Sequence, residues 1–266
     1  MKVGALAIDL VYDGDGHEPA REVLTRPDAE DPWACPEHQH LLDAAGNLSL
    51  TLGGFLVRTG DRVILVDAGV GTIDNGKYRG GQFLESLRAL GCEPADVSDV
   101  VFTHLHFDHV GWATKKGEIV FPNATYRVHR ADWTHFVESP DADPGAVRKL
   151  SPLAERLETF ESDTTLAPGL DTRHVPGHTP GSTIYVVSSE GERALLLGDV
   201  AHSPVELTDP AWEAVFDVDP VAARQVRAEL IDASTDYSDV LAPVHFPAGR
   251  LITIGGERRY SYLEKG

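Results

Sequence analysis

The residues with the clearest chemical capacity are four potential metal ligands within six positions: His104, His106, Asp108 and His109. They follow the apolar residues 97–102, which predict a strand, so they lie where a strand runs into a loop. On a strand these side chains could not all point one way, whereas a turn lets them converge. Imidazole and carboxylate are the ligands expected for zinc and similar metals. The spacing therefore predicts a metal site, with a solvated histidine-rich loop as the alternative for this segment alone.

Three more residues of ligand type follow, each where a strand is predicted to begin or end. His178 lies in a turn rich in glycine and proline, and Asp199 and His245 each follow an apolar stretch. Taken singly, each such residue more often has a structural or capping role. Because α/β folds gather their chemistry at strand ends, the three together, in this order, favour a shared metal site.

Short apolar stretches bounded by glycine or aspartate predict the strands that must position these side chains. They cover residues 3–11, 50–58, 62–67, 97–102, 126–129, 170–175, 182–189, 193–198, 240–243 and 251–254. Helices are predicted over residues 81–90, from about Ala131, and after the pair Asp219-Pro220, with a buried face of Ala222, Val226 and Leu230. Residues 12–48 have no clear period and are predicted as a long ordered loop or flap. Strands and helices in both halves fit a layered α/β sandwich.

The order His-x-His-x-Asp-His at residues 104–109, then His178, Asp199 and His245, resembles the metallo-β-lactamase-fold hydrolase superfamily. The similarity extends over residues 51–246, and the first fifty residues match no equally specific pattern. The resemblance implies an α/β fold, an αββα sandwich of two mixed β-sheets flanked by helices. It places the site at the edge where the two sheets meet, within a single hydrolase domain of residues 1–266.

The resemblance also implies how the ligands are divided between two metals. His104, His106 and His178 would hold one metal, Asp108, His109 and His245 would hold the second, and Asp199 would bridge them. Asp67 matches an early Asp-x-Gly turn of the family and would orient ligands rather than bind metal. The expected cofactors are two divalent metal ions, with zinc favoured and iron, manganese or cobalt as alternatives.

The residue at the bridging position indicates the branch of the family. Asp199 is not the cysteine of some zinc β-lactamases, and Gly111-Trp112 departs from the Gly-Gly of glyoxalase II. Residues 198–247 look most like quorum-quenching lactonases and the related arylester and organophosphate hydrolases. Such lactonases carry a tyrosine three residues after the bridging aspartate, where this chain has His202. His202 is interpreted either as a donor to a substrate carbonyl or as a surface histidine, so the substrate is left open.

These observations predict a dinuclear metal-dependent hydrolase in which a metal-bridging hydroxide attacks a lactone or carboxylic ester. His202 would stabilise the oxyanion, and Asp108 or Asp199 would carry the proton to the leaving group. These three residues are the candidate catalytic residues. The alternatives are hydrolysis of a phosphotriester or phosphodiester at the same site, and a metal-binding protein without turnover.

Aromatic residues beside the ligands, or in neighbouring segments, are candidates for the wall of an apolar pocket. They are Trp33, Phe107, Trp112, Trp133, Phe136 and Phe246. Such a pocket would suit a hydrophobic acyl or aryl substrate. The alternative is that most of these side chains belong to the core, where aromatic residues are usually buried.

The net charge and the composition of the chain indicate which classes of partner it binds. The formal net charge of −19 opposes attraction to phosphate backbones and anionic membranes. We therefore expect a small-molecule ester or lactone as partner, and neither nucleic acid nor a membrane. The sequence has no run of 18 apolar residues and no signal-peptide pattern, so we expect a cytoplasmic protein. The oligomeric state is not readable, although residues 12–48 could form a homodimer contact or a lid.

Overall fold

Residues 1–264, which the computed structural model describes, contain nineteen strands. In chain order they are β1 (Lys2–Val3), β2 (Leu6–Pro19), β3 (Leu24–Thr25), β4 (Asn47–Thr59), β5 (Arg62–Val66), β6 (Tyr78–Arg79), β7 (Asp99–Val101), β8 (Thr114–Lys115), β9 (Glu118–Ile119), β10 (Thr125–His129), β11 (Leu157–Phe160), β12 (Thr165–Ala167), β13 (Leu170–His174), β14 (Thr183–Ser189), β15 (Glu192–Leu196), β16 (Glu213–Ala214), β17 (Val240–Ala242), β18 (Gly249–Ile254) and β19 (Glu257–Tyr262). All the predicted strands are present, with ends within about three residues of the prediction, except that β2 ends at Pro19 instead of residue 11.

The same residues form six α-helices: α1 (Ala20–Val23), α2 (Phe83–Ala89), α3 (Arg130–Trp133), α4 (Pro144–Leu150), α5 (Pro204–Thr208) and α6 (Pro220–Ser234). The predicted start of α6 is confirmed, because the Asp219 carboxylate accepts the backbone N–H groups of Val221 and Ala222 at 3.1 and 3.0 Å. Within residues 1–264, no helix is long and apolar enough to cross a membrane.

The two large sheets are both mixed. The first has the order β1-β2-β4-β5-β7-β10-β11, and its strands run parallel from β5 through β7 and β10 to β11. The second has the order β12-β13-β14-β15-β17-β18-β19, in which β15 and β17 run parallel. The predicted α/β class with two mixed sheets is therefore confirmed.

Three apolar layers give the fold its sandwich form. Between the sheets, Val57 of β4 and Leu196 of β15 share one buried cluster. On the outer face of the first sheet, Leu56 packs in a cluster with Phe83 of α2, and on the outer face of the second sheet Leu195 packs in a cluster with α6. Successive residues of a strand point to opposite faces, which is why Leu56 and Val57 enter different layers. Helices therefore cover both outer faces.

The prediction of a loop over residues 12–48 is wrong at both of its ends. Strand β2 continues to Pro19 and pairs with β4 as far as Asn47. The signal was missed because this part of β2 is polar and contains Gly14 and Gly16. Its buried side chains are the acids Asp13 and Glu18. The Asp13 carboxylate accepts the N–H groups of Val70, Gly71, Gly81 and Phe83 at 2.8–2.9 Å. Hydrogen bonds to a buried acid replace the apolar contacts that a periodic pattern would show.

The predicted buried face of α6 is wrong by one position along most of its length. Ala223, Arg227 and Leu230 are buried, whereas Ala222 and Val226 are only partly so. The pattern failed because it followed apolar residue types, and Arg227 is a buried cation that pairs with acidic groups from other segments.

Candidate metal centre

The predicted metal ligands lie just after the ends of four strands and are close together in space. The stretch after β7 carries four of them, and the turns after β13, β15 and β17 carry His178, Asp199 and His245. His104, His106, His178 and Asp199 offer ligand atoms that all lie within 4.8 Å of one another, and the same holds for Asp108, His109 and His245. The structure thus brings all seven side chains together in the two groups that the resemblance implied.

Three imidazole nitrogens of the first group face one another. His106 Nδ1 lies 3.0 Å from His104 Nε2 and 2.9 Å from His178 Nε2. A proton on His106 can serve only one of these contacts, and otherwise the lone pairs repel. Nitrogen ligands around a tetrahedral zinc ion are about 3.4 Å apart. The three rings are therefore spaced much as the ligands of one cation would be.

Asp199 divides its two carboxylate oxygens between the groups. Its Oδ1 lies 3.1 Å from His109 Nε2 and 3.0 Å from His245 Nε2. Its Oδ2 lies 3.6 Å from His104 Nε2 and 3.5 Å from His178 Nε2. A carboxylate in this orientation can serve one cation in each group.

Unpaired buried atoms test whether cations fit here. Within residues 1–264, His109 Nε2 and Asp199 Oδ1 are buried without a hydrogen-bond partner, although they lie 3.1 Å apart. The two atoms do not point at each other with hydrogen-bonding geometry. Buried polar atoms left in this way cost about 1–3 kcal/mol each. A cation that both atoms coordinate would remove the cost, so the residues present fit the implied metals.

Burial and charge divide the histidines into two kinds. Burial lowers the pKa of His104 well below its ordinary value and lowers the pKa of His106 to about 3. Burial acts in the same direction on His109 and His245, but the neighbouring carboxylates, Asp199 foremost, together outweigh it and raise the pKa of both. His104 and His106 therefore present neutral imidazoles, whereas His109 and His245 lie against the Asp199 carboxylate, whose pKa their charges hold well below its ordinary value.

Asp67 binds two residues of the ligand loop, residues 103–109, on the side that faces away from Asp199. Its Oδ2 lies 2.8 Å from His109 Nδ1, the ring nitrogen that faces away from Asp199, and accepts the Thr103 hydroxyl at 2.8 Å. Its Oδ1 accepts the Thr103 backbone N–H at 2.8 Å. The φ angle of Asp67 is +64°, which turns the chain sharply after β5. Asp67 is thus placed to orient His109 rather than to bind a metal.

His202 is buried beside the ligands, so its interpretation as a surface histidine is wrong. Its Nε2 lies 3.4 Å from Asp199 Oδ2 and its Nδ1 lies 3.6 Å from Glu206 Oε2. Glu206 also accepts the backbone N–H groups of His202 and Ser203 at 2.6 and 3.1 Å, which holds the turn into α5. Burial opposes protonation, but the two carboxylates prevail and raise the pKa of His202.

A cavity of about 150 Å³ opens onto the ligands. Its walls are formed by Glu18, Leu50, Tyr78, His106, Phe107, Asp108, His178, Asp199, His202, Phe216 and His245. Among these residues, Leu50, Phe107 and Phe216 are apolar and form the apolar wall of the cavity. The cavity can therefore hold a small substrate with a polar reacting centre and an apolar substituent.

Of the six aromatic residues predicted for the pocket, all within the described chain, Phe107 lines the cavity. Phe136 packs edge-to-face on His106 with 5.4 Å between ring centroids, outside the lining. The prediction is wrong for Trp33, Trp112, Trp133 and Phe246, which are buried in the apolar clusters. Proximity to a ligand in the sequence does not fix the direction of a side chain, and a large ring gains more by packing in the core.

Glu18 and Tyr78 line the cavity and were not found from the sequence. The Tyr78 hydroxyl donates to Glu18, and Lys77 Nζ lies 2.8 Å from the second oxygen of the same carboxylate. Glu18 lies near the end of β2 and Tyr78 lies in the short strand β6, and both stretches of sequence are polar. Neither stretch has a motif or a period that could mark it as part of a site.

Residues 54–245 match the family model described as the Metallo-beta-lactamase superfamily. The match covers more than half of the chain, which therefore belongs to this superfamily. The predicted family is confirmed.

Three curated relatives are N-acyl homoserine lactonases. The one from Bacillus thuringiensis is 26% identical over 188 residues, which are 64% of this chain and 72% of that protein. The one from Bacillus sp is 28% identical over 167 residues, 56% of this chain and 63% of the relative. AttM from Agrobacterium fabrum (strain C58 / ATCC 33970) is 33% identical over 127 residues, 43% of this chain and 44% of the relative. The chain thus matches less than two thirds of the length of the last two.

Two solved structures share the fold along the whole chain. AidC, described as a dizinc quorum-quenching lactonase in complex with a product, is 22% identical with a TM-score of 0.89, covering 100% of this chain and 97% of that one. The hydrolase AbOPH in the beta lactamase superfamily is 24% identical with a TM-score of 0.87, over the same shares. The predicted metallo-β-lactamase fold is confirmed. The superfamily match, the lactonase relatives and the two groups of side chains that could hold a metal ion together indicate that the chain is a metal-dependent hydrolase.

Proposed function

We propose that this protein hydrolyses a lactone or carboxylic ester at a site that holds two divalent cations. His104, His106 and His178 would bind one cation, Asp108, His109 and His245 the other, and Asp199 both. The observation that carries the proposal is the orientation of Asp199, whose two oxygens face different groups of histidines. We propose zinc as the metal, because neutral imidazoles with one or two carboxylates are typical zinc ligands.

Two cations bound by these residues would supply hydroxide near neutral pH and polarise the carbonyl of the substrate. Side chains of the protein would bind the substrate and shield the reacting carbonyl from water. Leu50, Phe107 and Phe216 would bind the apolar part of the substrate and exclude water from the reacting carbonyl. A planar ester or lactone with an acyl substituent matches a cavity that is lined by both apolar and ionisable side chains.

His202 and Asp108 are placed to handle charge and protons. Both line the cavity, and His202 Nε2 lies 3.4 Å from Asp199, so it can donate a hydrogen bond to an oxygen that gains negative charge there. Asp108 Oδ2 lies 3.8 Å from His245 Nε2 on the other side of Asp199. We propose that Asp108 or Asp199 returns a proton to the leaving alkoxide. The lactonase relatives support a lactone as the substrate class.

The test is proton release by the zinc-loaded protein on a panel of acyl lactones, aryl esters and phosphotriesters. Asp199→Ala is the inactive comparison, and Asp61→Ala, which removes an exposed acid, is the matched control. We expect lactone or ester turnover in the wild type and in Asp61→Ala, and loss of both bound zinc and turnover in Asp199→Ala.

Each other outcome overturns a stated part of the proposal. If Asp199→Ala keeps full zinc content and rate, the two-cation site is wrong. Turnover of phosphotriesters alone would contradict the ester and lactone assignment and support phosphorus chemistry at the same site. A wild-type protein that binds two zinc ions and turns over nothing in the panel would contradict the proposed substrate class.

A further inference from the structure

Arg227 is a buried cation in the middle of α6, with 1% of its surface exposed. Its Nη1 donates to Asp217 Oδ2 at 3.1 Å and lies 3.6 Å from Glu206 Oε1. Its Nη2 donates to the backbone oxygen of Trp212 at 3.0 Å. A guanidinium is costly to bury unless it is paired, and here two buried carboxylates share it. Arg227 does not line the cavity.

Each of the two carboxylates turns its second oxygen toward a histidine of the candidate site. Asp217 Oδ1 lies 3.1 Å from His178 Nδ1, the nitrogen that faces away from the other ligands. Glu206 Oε2 lies 3.6 Å from His202 Nδ1 and accepts the His202 backbone N–H at 2.6 Å. One arginine is thus joined through two acids to a candidate ligand and to a candidate catalytic residue.

The chain that leads into α6 is hydrogen-bonded to the turn that carries His178. Val218 N–H donates to the His178 oxygen at 3.1 Å and Asp219 N–H donates to the Gly177 oxygen at 2.9 Å. Gly177 has a φ of +149°, and a Cβ there would collide with the backbone of Ala223 in α6. The start of α6 therefore rests directly on the turn that carries His178.

We propose that Arg227 is a positioning residue that holds Asp217 and Glu206, and through them His178 and His202. Without the guanidinium, two like charges would share one buried site and move apart, and each histidine would lose the partner that fixes its ring. Groups behind a ligand in this way often change metal affinity without touching the metal. The inference rests on the proposed metal site.

The experiment compares Arg227→Met, Arg227→Lys and Arg127→Met by zinc affinity, measured in competition with a chromophoric chelator, and by thermal unfolding. Arg127 is the matched control, because it pairs with the buried Asp99 at the start of β7, away from the ligands. We expect Arg227→Met to weaken zinc binding by roughly 10- to 100-fold. Arg127→Met should lower the melting temperature and leave zinc affinity unchanged, and Arg227→Lys should recover part of the zinc affinity.

If Arg227→Met and Arg127→Met both lower the melting temperature and both bind zinc as the wild type does, Arg227 is only structural and the inference is overturned. If Arg227→Met does not fold, Arg227→Lys decides in the same way, since wild-type zinc affinity in a destabilised Lys variant would overturn it. The readout is zinc binding rather than turnover. A failure of the proposed hydrolysis and a failure of the Arg227 effect are therefore separate results.

Discussion

Asp67 and His109 meet beneath the candidate ligands, with 2.8 Å between Asp67 Oδ2 and His109 Nδ1. The contact fixes the plane of the His109 ring and leaves its Nε2 facing Asp199. Because Asp67 also accepts both donors of Thr103, it ties the first residue of the ligand loop to the fourth ligand. The position of one ring is thus set before any metal binds, which lowers the entropy that binding must overcome.

Replacing Asp67 by asparagine should therefore weaken the group of Asp108, His109 and His245 more than the other group. An amide supplies one acceptor where the carboxylate supplies two, so either Thr103 or His109 loses its partner. We expect zinc affinity at one of the two sites to fall roughly 10- to 100-fold. A two-step zinc titration of Asp67→Asn, with Asp61→Asn as control, measures this. Wild-type zinc affinity at both sites of the variant would show that Asp67 does not orient His109.

The sequence predicted well what depends on local pattern. Leu195 to Gly198 and Leu241 to Val244 are short stretches without a polar side chain, and the residues that follow them, Asp199 and His245, line the cavity. The order of ligand types along the chain indicated the family, and hence the two sheets. These features are readable because a strand's alternation and a motif's spacing involve neighbours in the sequence.

What the sequence did not reveal depends on partners that are distant in the chain. Arg227 was not identified from the sequence, because its acidic partners lie at positions 206 and 217. Asp13 broke the apolar pattern of β2, and its four backbone donors come from residues 70–83. Burial of a polar group is decided by whether tertiary structure supplies its partners, which no local pattern reports.

Phe107 offers a test of the apolar wall that is separate from stability. The residue is 51% exposed, and its ring packs edge-to-face on Tyr78 with 5.2 Å between ring centroids. We expect Phe107→Ala to leave the melting temperature nearly unchanged and to raise KM for a long-chain acyl lactone about tenfold, a loss of about 1.4 kcal/mol. Steady-state kinetics on long and short acyl lactones measure it, with Val221→Ala as an exposed apolar control. An equal change for both chain lengths would contradict the assignment of Phe107 to the acyl wall.

Asp132 predicts a pH dependence of stability. Its buried carboxylate accepts the N–H groups of Leu105 and Gly181 at 3.1 and 2.6 Å, and burial raises its pKa to about 6. An acid that binds its proton more tightly when folded contributes most below about pH 4, and the contribution is lost as the pH rises through about 6. The size is about 3 kcal/mol for a shift of about two pKa units.

Asp132→Asn cannot titrate and should lack this loss. Between pH 4 and pH 7 we expect the free energy of unfolding of the wild type to fall relative to that of the variant by up to about 3 kcal/mol. Urea unfolding of both proteins at unit pH steps measures the difference, which cancels groups that titrate in both. A difference that stays constant over this range would show that Asp132 is ionised throughout.

Substitution of His202 tests whether a residue beside the metal ligands acts in catalysis without binding a metal. Its Nε2 lies 3.4 Å from Asp199, yet it stands outside both groups of ligand atoms. If it donates to the developing oxyanion, His202→Ala should keep full zinc content and lower kcat roughly 10²- to 10³-fold with little change in KM, because the interaction strengthens in the transition state. His202→Tyr should recover part of kcat, since a phenol can donate from the same place.

Zinc content and steady-state kinetics decide this, with His40→Ala as an exposed control. Loss of zinc from His202→Ala would make His202 a ligand instead, and an unchanged kcat would leave it a packing residue.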